Sequence, residues 1–127
     1  MKKLLLIPIL FLCIIGYSQN SDSTRIIGNP IKIGNFLVAQ NDFQTKMNFG
    51  QAKKACAELG NDWRLPTKDE LSKIYDNRNK IGGFSDGLYW SSTQVDVTQA
   101  WAHNFKYGFQ NTKYNFGSFY VRAVKDL

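Results

Sequence analysis

Apolar positions in this chain recur with two periods, and the switches between them divide it into strands, two helices and further strands. Ile31 and Ile33, then Phe36 to Ala39, flank Gly34-Asn35 and predict two short strands around a turn. Asn41 to Lys46 follows neither period and predicts a loop. Ala52, Ala55, Cys56 and Leu59 then fall at i, i+3, i+4 and i+7, one face of a helix, leaving Lys53, Lys54 and Glu58 to solvent. Asn48 with Gln51 three residues on forms a capping box at its start, and Gly60 supplies the left-handed stop.

The stretch from Trp63 to Leu71 carries the densest local information. Thr67 and Glu70 form a second capping box: the Thr hydroxyl accepts from the backbone N–H of Glu70, and the Glu carboxylate accepts from that of Thr67. Pro66, with φ fixed and no N–H to donate, suits the extended residue before the cap. Pro66 and Leu71 occupy the positions of a hydrophobic staple. Leu71, Ile74 and Tyr75 continue at helical spacing, so the second helix runs from Lys68 to Asp76 or a little beyond, with Gly82-Gly83 in the loop after it.

Beyond Gly87 the period is two. Leu88 to Thr93 predicts a strand, and Trp101, His103 and Phe105 alternate with Ala102, Asn104 and Lys106 between Ala100 and Lys106. Gly108 begins a turn, Gln110 to Phe116 is a weaker strand, Gly117-Ser118 a second turn, and Phe119 to Lys125 a final β-rich run. Strands, two helices, then strands make an α+β domain with its helices segregated in sequence. Trp63, Trp90 and Trp101 bring large apolar surfaces and are expected in the core.

The first residues change the picture of where this domain works. Lys2 and Lys3 precede an uncharged apolar run from Leu4 to Ile15, and Gly16-Tyr17-Ser18 offers a cleavage site, so residues 1–18 read as a secretory signal peptide. The run is shorter than the ~20 residues of a membrane span. Residues 19–27 are then a polar, flexible lead-in and 28–127 a single domain, exported to the periplasm, cell surface or beyond, its mature chain without a membrane span. Setting aside Lys2 and Lys3 leaves 14 basic residues against 10 acidic ones, without a block of like charge, which argues against a nucleic-acid partner. Cys56 is the one cysteine of the mature chain, so no intramolecular disulfide forms and packing must hold the fold.

Several separated segments carry a resemblance to a known family. These are Asn48 to Cys56, Leu59-Gly60, Trp63-Arg64-Leu65-Pro66-Thr67 with Glu70-Leu71, Ile81-Gly82-Gly83-Phe84, Tyr89-Trp90-Ser91-Ser92-Thr93, Ala100-Trp101 and Val121-Arg122-Ala123-Val124. In order and in register, they resemble the C-terminal domain family of Legionella collagen-like adhesins, whose fold is similar to that of C-type lectins. The resemblance implies two helices packed on a curled antiparallel sheet, with Trp63, Arg64, Pro66, Thr67, Glu70, Trp90, Ser91, Trp101 and Arg122 as structural motif residues. In C-type-lectin-like domains a cysteine on the first helix usually pairs with one on the last strand. Some relatives carry the partner where this chain has Ala123, so Cys56 reads as a buried core thiol.

The fold hosts carbohydrate binders, protein binders and enzymes, so chemistry must come from individual residues. The Glu-Pro-Asn or Gln-Pro-Asp tripeptide of calcium-dependent sugar sites is missing, and Asp76 to Lys80 places Arg78 and Lys80 where oxygen ligands are needed. One Cys and one His cannot supply a zinc site, and His103 is expected to be packed and hydrogen-bonded. Formylglycine-generating enzymes share a similar fold and a similar Arg-Leu-Pro-Thr-x-x-Glu segment, but their late cysteine pair has no counterpart after Cys56. The reading is a non-enzyme with no catalytic residues, metal or cofactor.

What remains is a late aromatic segment. Tyr107, Phe109, Tyr114, Phe116, Phe119 and Tyr120 crowd among Gln110, Lys113, Asn115 and other amides and cations. Such rings either alternate into the sheet core or form an exposed surface for a sugar or a protein. The ligand-binding candidates are Tyr107, Phe109, Gln110, Lys113, Tyr114 and Asn115. The function expected is a secreted binding module for a glycan or anionic polysaccharide, or alternatively a structural or protein-interaction subunit of a bacterial surface assembly.

Overall fold

The computed structural model of the chain describes residues 22–127; the expected signal peptide lies outside them. Among the described residues six strands form two antiparallel three-stranded sheets. β1 (Ile31–Ile33), β2 (Phe36–Val38) and β6 (Val124–Asp126) lie in the order β1-β2-β6, and β3 (Leu88–Gln94), β4 (Gln99–Asn104) and β5 (Gln110–Tyr114) in the order β3-β4-β5. The helices are α1 (22–27), α2 (Phe49–Glu58), α3 (Lys68–Asp76) and α4 (Arg78–Ile81). The first helix falls in the expected lead-in and buries Ile26. Its Thr24 C=O accepts from the N–H of Gly28, whose φ of 54° turns the chain into β1.

Both capping boxes form as their spacing requires. The Asn48 side chain accepts from Gln51 N–H and the Gln51 side chain accepts from Asn48 N–H; Thr67 and Glu70 do the same. Gly60 takes φ 78° after α2.

The final run from Phe119 to Lys125 pairs along most of its length, but with changing partners. Met47 and Phe119 form a bridge, Tyr120 sits between the backbones of Leu88 and Trp90, and Val121 and Ala123 accept from Phe43 and Ala39 N–H. Only from Val124 to Asp126 does the chain settle into a ladder, on β2. One extended segment therefore joins the two sheets, and the single curled sheet expected from the sequence is in fact two.

β3 and β4 contribute to a core on each face of their sheet, which explains their alternation. Trp90, Ala100 and Ala102 pack in one core with Phe49, Ala52 and Cys56 of α2 and with Trp63 and Leu65. Tyr89 packs in a second core with Leu71 and Ile74 of α3 and with Phe105 and Val124. Trp90 lies opposite Ala102, so the bulky ring finds room over a small partner. Its indole N–H donates to Met47 O at 2.8 Å.

Two expectations need correction. Trp101 is half-buried, not core, with the ammonium of Lys68, the first residue of α3, 3.7 Å from its ring centroid. His103 is packed, between the rings of Tyr75 and Phe105, but neither ring nitrogen has a hydrogen-bond partner. Burial lowers its pKa against a weaker opposing pull from Asp76, so the ring is neutral at pH 7.

Candidate functional site

Two turns set out the aromatic rings on either side of β5. At the β4–β5 turn, the Asn104 carboxamide oxygen accepts from Lys106 and Tyr107 N–H, and Asn104 O accepts from Gly108 N–H. Gly108 has φ 85°, and a Cβ there would sit 2.8 Å from the Tyr75 hydroxyl, so the turn needs glycine twice over. Tyr107 and Phe109 emerge from this turn 68% and 45% exposed, their rings within 4° of parallel at 6.3 Å. Lys106 Nζ lies 5.2 Å from the Tyr107 centroid.

At the other end of β5, Tyr114 and Phe116 are 55% and 82% exposed, with rings 5.5 Å apart and within 5° of parallel. The β3–β4 hairpin tip lies beside them. Asp96 closes that tip by accepting from Thr98 N–H and Oγ1–H and from Gln99 N–H. Those bonds hold the Asp96 carboxyl below the usual carboxylate range. Asn115 ties the two segments together, donating through its backbone to Thr98 O and through its side chain to Val97 O. Val95 and Val97, exposed at the tip, extend the apolar surface next to Tyr114 and Phe116.

Of the six candidates, Tyr107, Phe109 and Tyr114 are thus outside the core. Lys113 is half-buried on β5. Gln110 donates its side-chain amide to Lys68 O, and Asn115 spends its amide donor on Val97 O, so both first serve to brace the strand. Phe119 and Tyr120 are half-buried; Phe119 packs at a tilt against Trp90, and Tyr120 stacks on Tyr89. Ser91 is fully buried, donates to Trp101 O and accepts from Thr93 N–H, so it closes backbone at the β3 irregularity. Val95 and Val97 were not anticipated: a Val-Asp-Val segment has the composition of a strand, and only the Asp96 turn places it at a tip.

Behind the loop from Gly82 to Asp86 lies a buried ion pair. Arg122 is fully enclosed; its Nε donates to Asp42 at 2.7 Å, and Nη1 to Ala39 O and Gly82 O. The Tyr89 hydroxyl also donates to Asp42 and accepts from Ser85 N–H. Burial raises the Asp42 carboxyl, against the lowering pull of Arg122 and of these hydrogen bonds. Burial and the Asp42 charge push the Tyr89 hydroxyl up, keeping it a donor. Arg122 belonged to a recognisable motif; Asp42, in an aperiodic loop 80 residues away, carried no local signal.

A second cluster ties the start of α3 to the last strand. Arg64 grips Glu70 with two nitrogens, at 2.8 and 2.9 Å, and Asp126 at 2.6 Å. Burial opposes charge on Glu70, but Arg64 and the Thr67 N–H together outweigh it and lower its pKa below 4.5. Arg64 likewise lowers Asp126 below 3.8. Both carboxyls therefore stabilise the fold above their unfolded pKa values and lose that contribution as the pH falls through the folded ones. The midpoint of thermal unfolding is expected to drop as the pH is lowered from 5 towards 2. Glu70→Gln should be less stable at pH 7 and show a shallower drop. An unchanged pH profile in that variant would disprove the linkage.

Cys56 is enclosed in the α2 core, its thiol pushed up to about 12 by burial, the condition of an inert side chain. Ala123 lies in the same core. Among the described residues no group of three or more His, Cys, Asp or Glu side chains could hold a metal ion, and no helix is long and apolar enough to cross a membrane.

Paired helices on two joined antiparallel sheets, with loops and rings gathered around the β3-β4-β5 sheet, define a C-type-lectin-like domain. Its backbone superposes on botrocetin with a TM-score of 0.61 at 15% identity, over 78% of this chain and 96% of that one. EMS16, an antagonist of the collagen receptor integrin α2β1, gives 0.59 at 11% identity over 79% and 98%. The snake venom toxin convulxin gives 0.60 at 8% identity over 79% and 96%. At such identities the likeness shows the fold alone. The family model of the Lcl C-terminal domain matches residues 21–125, and the chain belongs to that family. No curated protein matches the chain.

Proposed function

We propose that this protein is an exported, non-catalytic binding module that recognises an anionic glycan through the rings around β5, without calcium. One observation carries the reading: two pairs of near-parallel rings stand exposed on a stretch from Val97 to Lys125 that contains no carboxylate and several cations. Parallel aromatic faces offer apolar area for sugar rings, and Lys106 and Lys113 supply attraction to sulfate or carboxylate groups. A purely neutral ligand would have no use for that charge.

The test is a panel of neutral and sulfated polysaccharides, with and without EDTA. Binding to the sulfated members should survive EDTA and weaken with salt. Tyr107→Ala with Phe109→Ala should weaken it by about tenfold, the scale of losing one or two aromatic contacts. Retention of full affinity in that double variant would refute the assignment.

A protein-interaction role is the second reading, favoured by Val95 and Val97, apolar groups that sugar stacking does not require. A panel without any glycan signal, together with a stoichiometric protein complex lost on Val97→Asp, would select it.

A further inference from the structure

The outer side of β5 is an open sheet edge. Two bonds bracket its pairing with β4: Asn104 N–H to Phe109 O, and Asn115 N–H to Thr98 O, each 2.8 Å. The register between them runs without a shift. In an antiparallel ladder bonded residues alternate. Asn111 and Lys113 therefore turn their backbone groups towards β4, and Gln110, Thr112 and Tyr114 turn theirs away. Among the described residues only one of those outward groups has a backbone partner: Tyr114 O accepts from Gly117 N–H at 3.0 Å. Three N–H groups and the carbonyls of Gln110 and Thr112 stay open. Neither a proline nor a bulge blunts the edge, and such edges recruit another strand.

We propose that the strand recruited is β5 of a second copy, paired antiparallel about a two-fold axis at Thr112. The argument is one of closure. Centred there, Thr112 faces Thr112 of the mate and Gln110 faces Tyr114. Every open N–H then meets a carbonyl and every open carbonyl an N–H, with Tyr114 O using its second lone pair. Centring the axis on Asn111 or Lys113 keeps the groups in phase but leaves Tyr114 or Gln110 unpaired, and the second choice sets Lys113 against its own copy. Lys113, the one charge on the strand, falls opposite Asn111 of the mate, not opposite its own copy. The contact is isologous and closes at two chains, so it does not propagate into a fibre.

Exposed apolar surface flanks the edge. Tyr107, Phe109, Tyr114 and Phe116 expose 68%, 45%, 55% and 82% of their surface. At ~200 Å² per ring that is about 500 Å² per copy. Two copies bring about 1,000 Å² of ring surface alongside the seam, shared between the mate and the ligand proposed above, and the paired backbone edge adds to the contact. The two-fold also sets the Tyr107–Phe109 end of each copy beside the Tyr114–Phe116 end of the other.

The register can be tested at its centre. Bonded residues in an antiparallel pair stand about 5.5 Å apart at Cα, a separation a disulfide spans. Thr112→Cys should give a covalent dimer under mild oxidation, whereas Asn111→Cys, off the axis, should give little. The buried Cys56 stays out of the reaction. Thr112→Pro removes an N–H that β4 does not use, so it should leave the circular dichroism and melting temperature near wild type while abolishing the dimer in sedimentation velocity. A wild-type protein that sediments as a monomer at 100 micromolar, or a dimer that survives Thr112→Pro, would overturn the proposal.

Discussion

Asp42→Ala is expected to destabilise the protein by about 3–5 kcal/mol, the cost of leaving a buried cation without its partner. The side chain of Arg122 is entirely enclosed and that of Asp42 only 12% exposed, so water cannot take over the lost charge. The damage should reach further than the pair. The Tyr89 hydroxyl loses its acceptor, and that hydroxyl in turn holds Ser85 N–H. Arg122 also fixes Gly82 O, so the Gly82-to-Asp86 loop is held at both ends by one network. Urea denaturation measures the first effect, and faster amide exchange at Ser85 the second. Adding Arg122→Met to Asp42→Ala removes the stranded charge and should recover part of the loss. Recovery stays incomplete because Ala39 O and Gly82 O lose a donor. A single variant within 1 kcal/mol of wild type would show that the pair is not a structural keystone.

The other large effect is expected at Trp90. The ring is fully buried where α2, the β3-β4-β5 sheet and the final segment meet, against Phe49 at 5.5 Å and Phe119 at 4.7 Å. Trp90→Ala should cost about 3–5 kcal/mol through lost apolar burial and the cavity left behind. Trp90→Phe separates this from the hydrogen bond. It keeps a ring in place but removes the donor to Met47 O, and should cost about 1–3 kcal/mol. The midpoints of chemical denaturation give both values. Equal losses in the two variants would mean that the indole N–H, and not the packing, carries the effect.

Both residues show where reading the chain succeeds and where it stops. Trp90 was expected inside because of its size and its place in a strand, and it is inside. Trp101, in the next strand and of the same size, is half-covered. The two face different neighbours: Trp90 lies in the core with Phe49, Ala52 and Cys56 of α2, whereas Trp101 lies under the Lys68 ammonium at the start of α3. The rings of Tyr107, Phe109, Tyr114 and Phe116 were open to either reading, core or surface. Their outward placement follows from the two turns that flank β5, fixed by the Asn104 bonds at one end and the Asn115 bonds at the other, which alternation along one strand does not contain. His103 lies on a face that α3 covers, yet its nitrogens find no partner there, and no spacing rule foretells that.

The amino-acid sequence by itself determined both capping boxes, the starts and the faces of α2 and α3, and the period-two segments after Gly87. Those features depend on contacts three, four or two residues apart, which the order of side chains fixes directly. Tertiary structure alone decided the Asp42–Arg122 pair, the division into two sheets joined by one segment, and the open edge of β5. Each of these rests on residues tens of positions apart, brought together only when the chain packs, so no local pattern could record them.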